Sequence, residues 1–591
     1  MFKNSVLLVM AMMFAVLPLN AQLTIDGTPI VYDKLTKTYL LTAPESVFGS
    51  AYRAAVVLDD GVTNVSINGQ QVTDSVNFPL VDGETGYTLQ FKNKNKVTTS
   101  TLYFTYLPIM CLTGTFTNDY TVAPVDFIMP DGNGVQHYRA KIKRAGSSTN
   151  AQWIYKRNFH VKFVDDNDEK TDVSFFGLRS DNHWRLDAGS RDMIRFRNYA
   201  ANGLWADFDS KPYYADKQPK ARSCIRGSHV EVFMNGNYHG FYNFSEYLDR
   251  KQMKLKKYSE EEVLADDSVT TFTSQQIHGL MWKSKDSTVQ TLFVSCGQDP
   301  VDNTDPSWGE WELEYPEIDE VCPTDYSVLY NAVKFVSRSN DAVFRAEAPS
   351  YFDLPVLADY YMFINVVFGI DNTASNMVLA CYDSEVDKKI TFAVWDLDAT
   401  VGQHYLDIDG YYHADEIQPE NELENVPTNM CDLSLNRLFM RVKTLPEFQR
   451  RVVNRYWQLR ETILDPDSLV ARYQRIYDRL DACGALDRES QRWSGIDEIE
   501  HRDLVFDEEM DYLCDWLRRR IAYLDTHTFA CMRGDTNGDG MVTITDVTTL
   551  IQYLLNESDS AGFNHINADV NADNDITVTD ATMLLTSLLN Q

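Results

Sequence analysis

The sequence predicts an α+β chain built from several domains, and three observations carry that prediction. Residues 22 to about 108 are rich in Val, Thr and Tyr, with turn signals such as DDG, NGQ and DGETG about every ten residues. From about 320 to 525 helical periodicity takes over, as in LNRLFMRVKTLPEFQRRVVNRYWQLRETIL and DEEMDYLCDWLRRRIAYLD. From Gly534 to Gln591 there are nine Asp or Glu and no Lys or Arg, a sharp change of composition after CMRG. A length of 591 residues exceeds what one core serves, so several domains are expected.

The bulk composition excludes some functions. Hydrophobic content of 44% with 12% aromatics belongs to packed globular domains rather than a disordered chain. A formal charge of −32 argues against general affinity for nucleic acid or anionic membrane, both of which reward clustered Lys and Arg. Nine cysteines occur without a CxxC or CxxxC pair, so neither a zinc site nor a disulfide is assigned.

Taken in order, the chain opens on MFKNSVLLVMAMMFAVLPLNAQ. A basic Lys3, an apolar run from Val6 to Leu17 and small-residue chemistry at Leu19-Asn20-Ala21 read as a signal peptide over 1–21, with Gln22 as the mature start. The run is shorter than the ~20 residues a membrane span needs, and no cysteine sits at the cleavage point for a lipid anchor. A secreted, cell-surface or periplasmic location follows. Residues 22–108 are expected to form an Ig-like β-sandwich. From 109 onward come strands and at least one helix, then the helix-rich half; together these suggest a two-lobed α+β core over 109–530 with a cleft between the lobes. The clearest element is VEVFMNGNYHGFYNF, residues 230–244, two alternating runs around Asn235-Gly236, a strong hairpin signal. YYMFINVVFGI, residues 360–370, is too short to span a membrane and reads as a buried helix.

The acidic C-terminus repeats with phase. DTNGDGMVTITD (535–546) and DVNADNDITVTD (569–580) each place side-chain oxygens at loop positions 1, 3, 5 and 12, followed by the apolar helices VTTLIQYLLN and ATMLLTSLLN. Ca²⁺ takes six to eight oxygens at about 2.3–2.6 Å, which a twelve-residue loop can wrap around it. Gly540 supplies the sharp turn in the first loop and Asn574 takes that place in the second. The pair resembles the dockerin type I module. That resemblance implies two Ca²⁺ ions, held by Asp535, Asn537, Asp539 and Asp546 in one loop and Asp569, Asn571, Asp573 and Asp580 in the other. Met541 and Asp575 would add backbone carbonyls, and a cohesin-like domain would be the partner.

The centre of the chain carries a second constellation. The run DLPVLADYYMFINVVFGI (353–370) ends at DNTASN, an apolar strand and a polar turn follow, and the strand ITFAV delivers WDLD at 395–398. Buried helix, Asp, Asn five residues on, strand, turn, strand, Asp is the order protein kinases use, with an Asp facing the substrate hydroxyl and hard oxygen ligands bridging Mg²⁺ to ATP. On this mapping Asp371 is the base or positioning residue, Asn376 and Asp396 are metal ligands, and Asp398 is auxiliary. The bland alternative is that Asp371 and Asn376 cap and turn a loop. Upstream, RAGSSTNAQWIYKRNFHVKF (144–163) offers a small-residue loop, Gly146-Ser147-Ser148, and then Lys156 and Lys162 toward phosphates.

Four features in order then resemble the CotH kinase family: Arg144–Ser148 with KRNFHVKF, NGNYHGFYNFSE (235–246), Asp371 and Asn376 with Trp395–Asp398, and WLRRRIAYLD. The resemblance covers roughly 109–525 and implies an atypical kinase-like fold that uses ATP with Mg²⁺ or Mn²⁺ on Ser or Thr of a secreted or surface protein. Asp371 and Lys162 would be catalytic, and Gly146, Ser147, Ser148, Lys156 and Glu246 would contact the nucleotide. Glu246 is read either as a ribose or adenine contact or as a hinge partner. The segment RDMIRFRNYAANGL offers Asp192 but no Glu to pair with Lys162. Two other functions stay open: a catalytically inactive binding component of a surface assembly, and a polysaccharide-degrading enzyme. The last is disfavoured because a retaining glycosidase needs carboxyl groups about 5–5.5 Å apart on facing elements, whereas Asp396 and Asp398 lie two residues apart.

Overall fold

The computed structural model describes residues 23–60, 62–93, 96–146, 150, 154–264, 271–297, 307–317, 325–406, 410–412, 419–420, 423, 436–496, 503–556 and 562–590. The signal-peptide stretch 1–21 and the pair Ser147 and Ser148 lie outside the described residues. The chain is mixed α+β, with thirteen α-helices among the described residues. None of them is long and apolar enough to cross a membrane.

The first part is built of strands, with one 3₁₀ turn at Glu45–Val47. A four-stranded sheet holds Leu23–Ile25, Thr28–Pro29, Tyr52–Leu58 and Ser75–Phe78. A six-stranded sheet runs from Val31–Asp33 through Thr38–Thr42, Lys96–Thr105, Tyr87–Asn93 and Val62–Ile67 to Gln70–Gln71. Alternation decides which side chains go inward: in Tyr52–Leu58, Ala54 and Val56 are buried while their neighbours are not. Both sheets feed one apolar cluster, in which Phe78 meets Tyr87 and Phe104 edge-on at 4.9 and 4.8 Å.

Residues 109–246 close into a seven-stranded barrel. Its order is Ile109–Leu112, Thr121–Ile128, Val135–Ala145, Asn158–Val164, His183–Asp187, Asn237–Glu246 and Gly227–Met234. Closure comes from a parallel pairing of the first strand with Gly227–Met234, far apart in sequence. The expected hairpin is present: Met234 pairs with Asn237 across a turn in which Asn235 and Gly236 take φ of 55° and 78°. Alternation fills the barrel with Phe127, Phe163, Trp184, Tyr242 and Phe244. The same alternation turns Lys162, His160, His183 and Arg185 outward.

The helical half is built on a five-stranded antiparallel sheet, Ser307–Trp308, Trp311–Tyr315, Leu280–Ser284, Val378–Asp383 and Asp387–Ala393. Against it lies the helix Leu354–Val367, buried at nearly every position, as its unbroken apolar run requires. The helices Pro446–Arg460, Pro466–Ala482, Ala485–Trp493 and Phe506–Thr526 complete that core. The last segment has its own small core of Val547, Leu550, Ala568, Ala581 and Leu584, contributed by helices Ile544–Asn556, His565–Ala568 and Val578–Leu589.

Candidate active site

Two chain segments leave the five-stranded sheet side by side. Val378 faces Ala393 in register, so two residues beyond that pair Asn376 lies next to Trp395 and Asp396. The helix Leu354–Val367 stops at Phe368, whose φ of 55° turns the chain, and a single 3₁₀ turn presents Asp371. Three amide and hydroxyl clamps hold this loop. The Tyr360 hydroxyl donates to the Asn372 carbonyl at 2.7 Å, Asn372 Nδ2 donates to the Trp395 carbonyl at 2.8 Å, and Asn436 Nδ2 donates to the Thr373 carbonyl at 2.6 Å. On the other segment the Leu397 amide donates to Asn198 Oδ1 at 3.1 Å, and Asn198 Nδ2 donates to Asp187 Oδ2 at 2.7 Å. One asparagine therefore ties WDLD to the rim of the barrel.

Backbone conformation marks the same residues. Asn376 and Asp396 have φ of 54° and 52°, the left-handed region that costs an L-residue about 1–2 kcal/mol. Asn and Asp tolerate it better than other side chains, and the clamps hold them in it.

The side chains of Asp371, Asn376 and Asp396 make no hydrogen bond among the described residues. Both acids are half-buried, and they contrast with the fully buried Glu489, which accepts from Lys156, Arg195 and the Phe241 amide. Burial pushes the Asp371 carboxyl up to about 6; the Asp396 carboxylate adds to this and Arg191 opposes it. Asp396 is raised as well, by burial first, with Asp187 acting in the same direction and Arg185 and Lys283 against.

Facing these acids is a cationic wall on the outside of the barrel. The Arg185 guanidinium lies 5.0 Å over the Trp395 ring, is 7% exposed, and has no carboxylate partner among the described residues. From the five-stranded sheet Lys283, which pairs with Glu314 at 3.1 Å, brings its Nζ 5.7 Å from the same ring. Behind them His160 Nδ1 and His183 Nε2 share a hydrogen bond at 3.0 Å, and His183 stacks on Tyr247 at 4.2 Å. His160 is pushed down to about 3 by burial and by Arg185, Lys143, Lys162 and Lys283, so both rings are held neutral amid four cations. Lys162 stands opposite Lys141 and His183 in register, with Nζ 5.1 Å over Tyr120. Chemically, the Arg185 guanidinium and Lys283 beside Asp396 can receive an anion that brings its own cation.

Comparison with known families gives two matches along the chain. Residues 142–524 match the CotH kinase protein family and residues 533–589 match the dockerin type I domain. The chain belongs to the CotH kinase family. No curated protein matches it.

Within the CotH core two of the expected nucleotide contacts are structural instead. Lys156 is fully buried, and its ammonium donates to the Ala188 and Phe241 carbonyls at 2.9 and 2.7 Å and to Glu489 at 2.8 Å. All three protons are committed, which removes it from the phosphates. Glu246 is 1% exposed and accepts from Arg222, the Arg179 and Arg226 amides and Gln252, so its carboxylate is a buttress rather than a ribose contact. Asp192 pairs with Arg197 at 2.7 Å, not with Lys162. Gly146 follows the strand Val135–Ala145 with φ of 85°. Asp398 is partly buried on a turn where Thr400 Oγ1 donates to the Leu397 carbonyl.

The sequence reading missed Arg185, Asp187, Arg191, Asn198 and Lys283. The one local signal was HWRLDAGSRD, a short strand with charges at alternate positions, which exposes a charged edge only once the barrel closes. Among the described residues no three His, Cys, Asp or Glu side chains gather into a ready-made metal cluster. Asp371, Asp396 and Asn376 offer two carboxylates and an amide oxygen, hard donors that suit Mg²⁺, which usually completes its shell with water and nucleotide oxygens. In the dockerin, the carboxylates of Asp535, Asp546, Asp569 and Asp580 are all buried and accept backbone amides of their own loops. Asn537, Asp539, Asn571 and Asp573 sit at the rims, where Asn537 Nδ2 donates to Asp539 and Asn571 Nδ2 to Asp573.

Proposed function

We propose that this protein is an exported CotH kinase that transfers the γ-phosphate of ATP to Ser or Thr hydroxyls of a secreted or surface protein, with its calcium-binding dockerin fastening it to a cohesin-like partner. The observation that carries the reading is that the acidic side chains of Asp371 and Asp396 accept no hydrogen bond among the described residues, with the Arg185 guanidinium close enough to Asp396 to favour its charged form. The proposed division is a signal peptide over 1–21, an Ig-like β-sandwich over 22–108, a two-lobed kinase core over 109–530 and the dockerin over 534–591.

In this reading Arg185, Lys162, Lys143 and Lys283 receive the phosphates, and the neutral His160–His183 pair keeps the wall from becoming too costly to assemble. Asn376 and Asp396, with Asp398 beside them, would hold Mg²⁺ or Mn²⁺; the ion neutralises phosphate charge as it develops. Asp371 orients the incoming hydroxyl and accepts its proton as the new O–P bond forms. The bond to the β-phosphate oxygen breaks, and its electron pair leaves with ADP. A carboxyl that burial has pushed to about 6 is a better proton acceptor than an ordinary Asp.

The test is intact-mass analysis of the mature protein with ATP and Mg²⁺ or Mn²⁺, with and without a generic Ser/Thr substrate, beside Asp396→Ala. Added phosphate with the wild type alone supports the kinase. The structural commitment of Lys156 favours a second reading, a kinase-like core kept as an inactive part of a surface assembly. Absence of both phosphate transfer and calorimetric ATP binding would select it.

A further inference from the structure

The two calcium loops make nearly the same internal bonds. Asp535 accepts the Asp539 and Gly540 amides, each at 3.1 Å; Asp569 accepts those of Asp573 and Asn574 at 3.1 and 2.9 Å. At the twelfth position Asp546 and Asp580 accept the amides of Thr536 and Val570, each at 2.8 Å. The loops differ at the sixth position, where the backbone is left-handed in both: Gly540 has φ of 82° and Asn574 has φ of 76°. Gly is the residue best suited to that conformation, so an Asn there calls for a reason.

The reason lies in the core. Asn454, on the helix Pro446–Arg460, reaches into the second loop. Its Nδ2 donates to Asp569 Oδ2 at 2.5 Å and to Asn574 Oδ1 at 3.1 Å. Its Oδ1 accepts from Arg533 Nη2 at 2.8 Å, while Arg533 Nη1 donates to the Asp569 carbonyl at 2.7 Å. Arg450 Nε adds a bond to the Asn574 carbonyl at 3.3 Å. Asn454 is 6% exposed and Asp569 fully buried. Among the described residues no side chain of the CotH core bonds to the loop 535–540. The connection leaves little slack, since Phe529 is buried in the core and its carbonyl accepts from Trp457 Nε1 at 2.9 Å.

We propose that the second calcium loop is completed by the CotH core, with Asn454 as its positioning residue, so that calcium at this loop fastens the dockerin to the helix Pro446–Arg460. The inference rests on the calcium reading of the two loops. A partner that holds a ligating carboxylate in place is worth about 10–100-fold in metal affinity. Linkage is reciprocal: whatever Asn454 adds to calcium affinity, calcium adds to the docking of the module on the core. The dockerin then has one fixed orientation relative to the cleft when loaded, and its two loops have unequal affinities.

The experiment is calorimetric titration of the chelator-treated full chain with Ca²⁺, for wild type, Asp573→Ala and Asn454→Ala. Asp573→Ala identifies the second site by removing it. Asn454→Ala is expected to weaken that same site about ten-fold or more and leave the first unchanged, the first site serving as the control for folding. Hydrogen exchange on the wild type gives a reading without any substitution: calcium raises protection in the helix Pro446–Arg460 as well as in His565–Ala568. Wild-type affinity at both sites in Asn454→Ala, or protection that rises in the dockerin alone, overturns the inference. No calcium at either wild-type loop overturns the calcium reading and this inference with it.

Discussion

Asp371→Asn in metal-free buffer gives the sharpest test of how the cleft is built. Burial and the neighbouring Asp396 push the Asp371 carboxyl from 3.8 up to about 6, which corresponds to about 3 kcal/mol against its ionised form. The folded state therefore holds this proton more tightly than the unfolded chain does. Its contribution is fully present below about pH 4 and is lost as the pH rises to about 6. Asn carries no charge to lose. Relative to wild type, Asp371→Asn should gain up to about 3 kcal/mol between about pH 4 and about pH 7.5, while any cost of the new amide is the same at both. The assay is urea denaturation of both proteins at the two pH values in EDTA, following the core transition by tryptophan fluorescence. The comparison of variant with wild type cancels the titrating groups that do not interact with Asp371; Asp396, which does, titrates together with it. A stability difference that does not change with pH would refute the account of two strained carboxylates awaiting a cation.

Three further outcomes are expected. Glu489→Ala leaves the buried Lys156 ammonium and Arg195 without their carboxylate, and should cost about 3–5 kcal/mol in chemical denaturation; a loss below about 1 kcal/mol would remove the structural role given to Lys156. Arg185→Ala should weaken Mg²⁺–ATP binding at least about ten-fold by calorimetry, since a hydrogen bond to a charged group is worth about 1.5–3 kcal/mol; unchanged affinity would place the phosphates elsewhere. Chelating calcium should lower hydrogen-exchange protection in Ile544–Asn556 and Val578–Leu589, because the buried Asp535, Asp546, Asp569 and Asp580 then lose their cation; protection indifferent to the chelator would count against calcium in these loops.

Local patterns in the sequence were a good guide wherever one segment contains its own physics. Asn235-Gly236 sets a turn by its backbone preference, and the apolar run 360–367 can only be buried. The two twelve-residue loops carry their own oxygens at fixed spacing. The nearness of Asp371, Asn376 and Asp396 was legible for a related reason: the strands Val378–Asp383 and Asp387–Ala393, paired as a local strand–turn–strand unit, lie between them. Lysines misled, because a strand position says which side a residue faces and nothing about what covers it. Lys156 and Lys162 are six residues apart, yet one ends fully buried against Glu489 and the other stands on the outer wall.

What the sequence determined by itself was the kind of chain: a mixed α+β protein with a CotH core and a dockerin. Only the tertiary structure decided which charges meet. Barrel closure pairs strands more than a hundred residues apart, and Asn198 ties Asp187 on the barrel to WDLD about two hundred residues on. The partner of Lys156 comes from a helix more than three hundred residues away, and the reason for Asn574 from one more than a hundred away. Such pairings depend on burial and on the three-dimensional path of the chain, which no local spacing encodes, whereas a loop that carries its own ligands needs only its own residues in order.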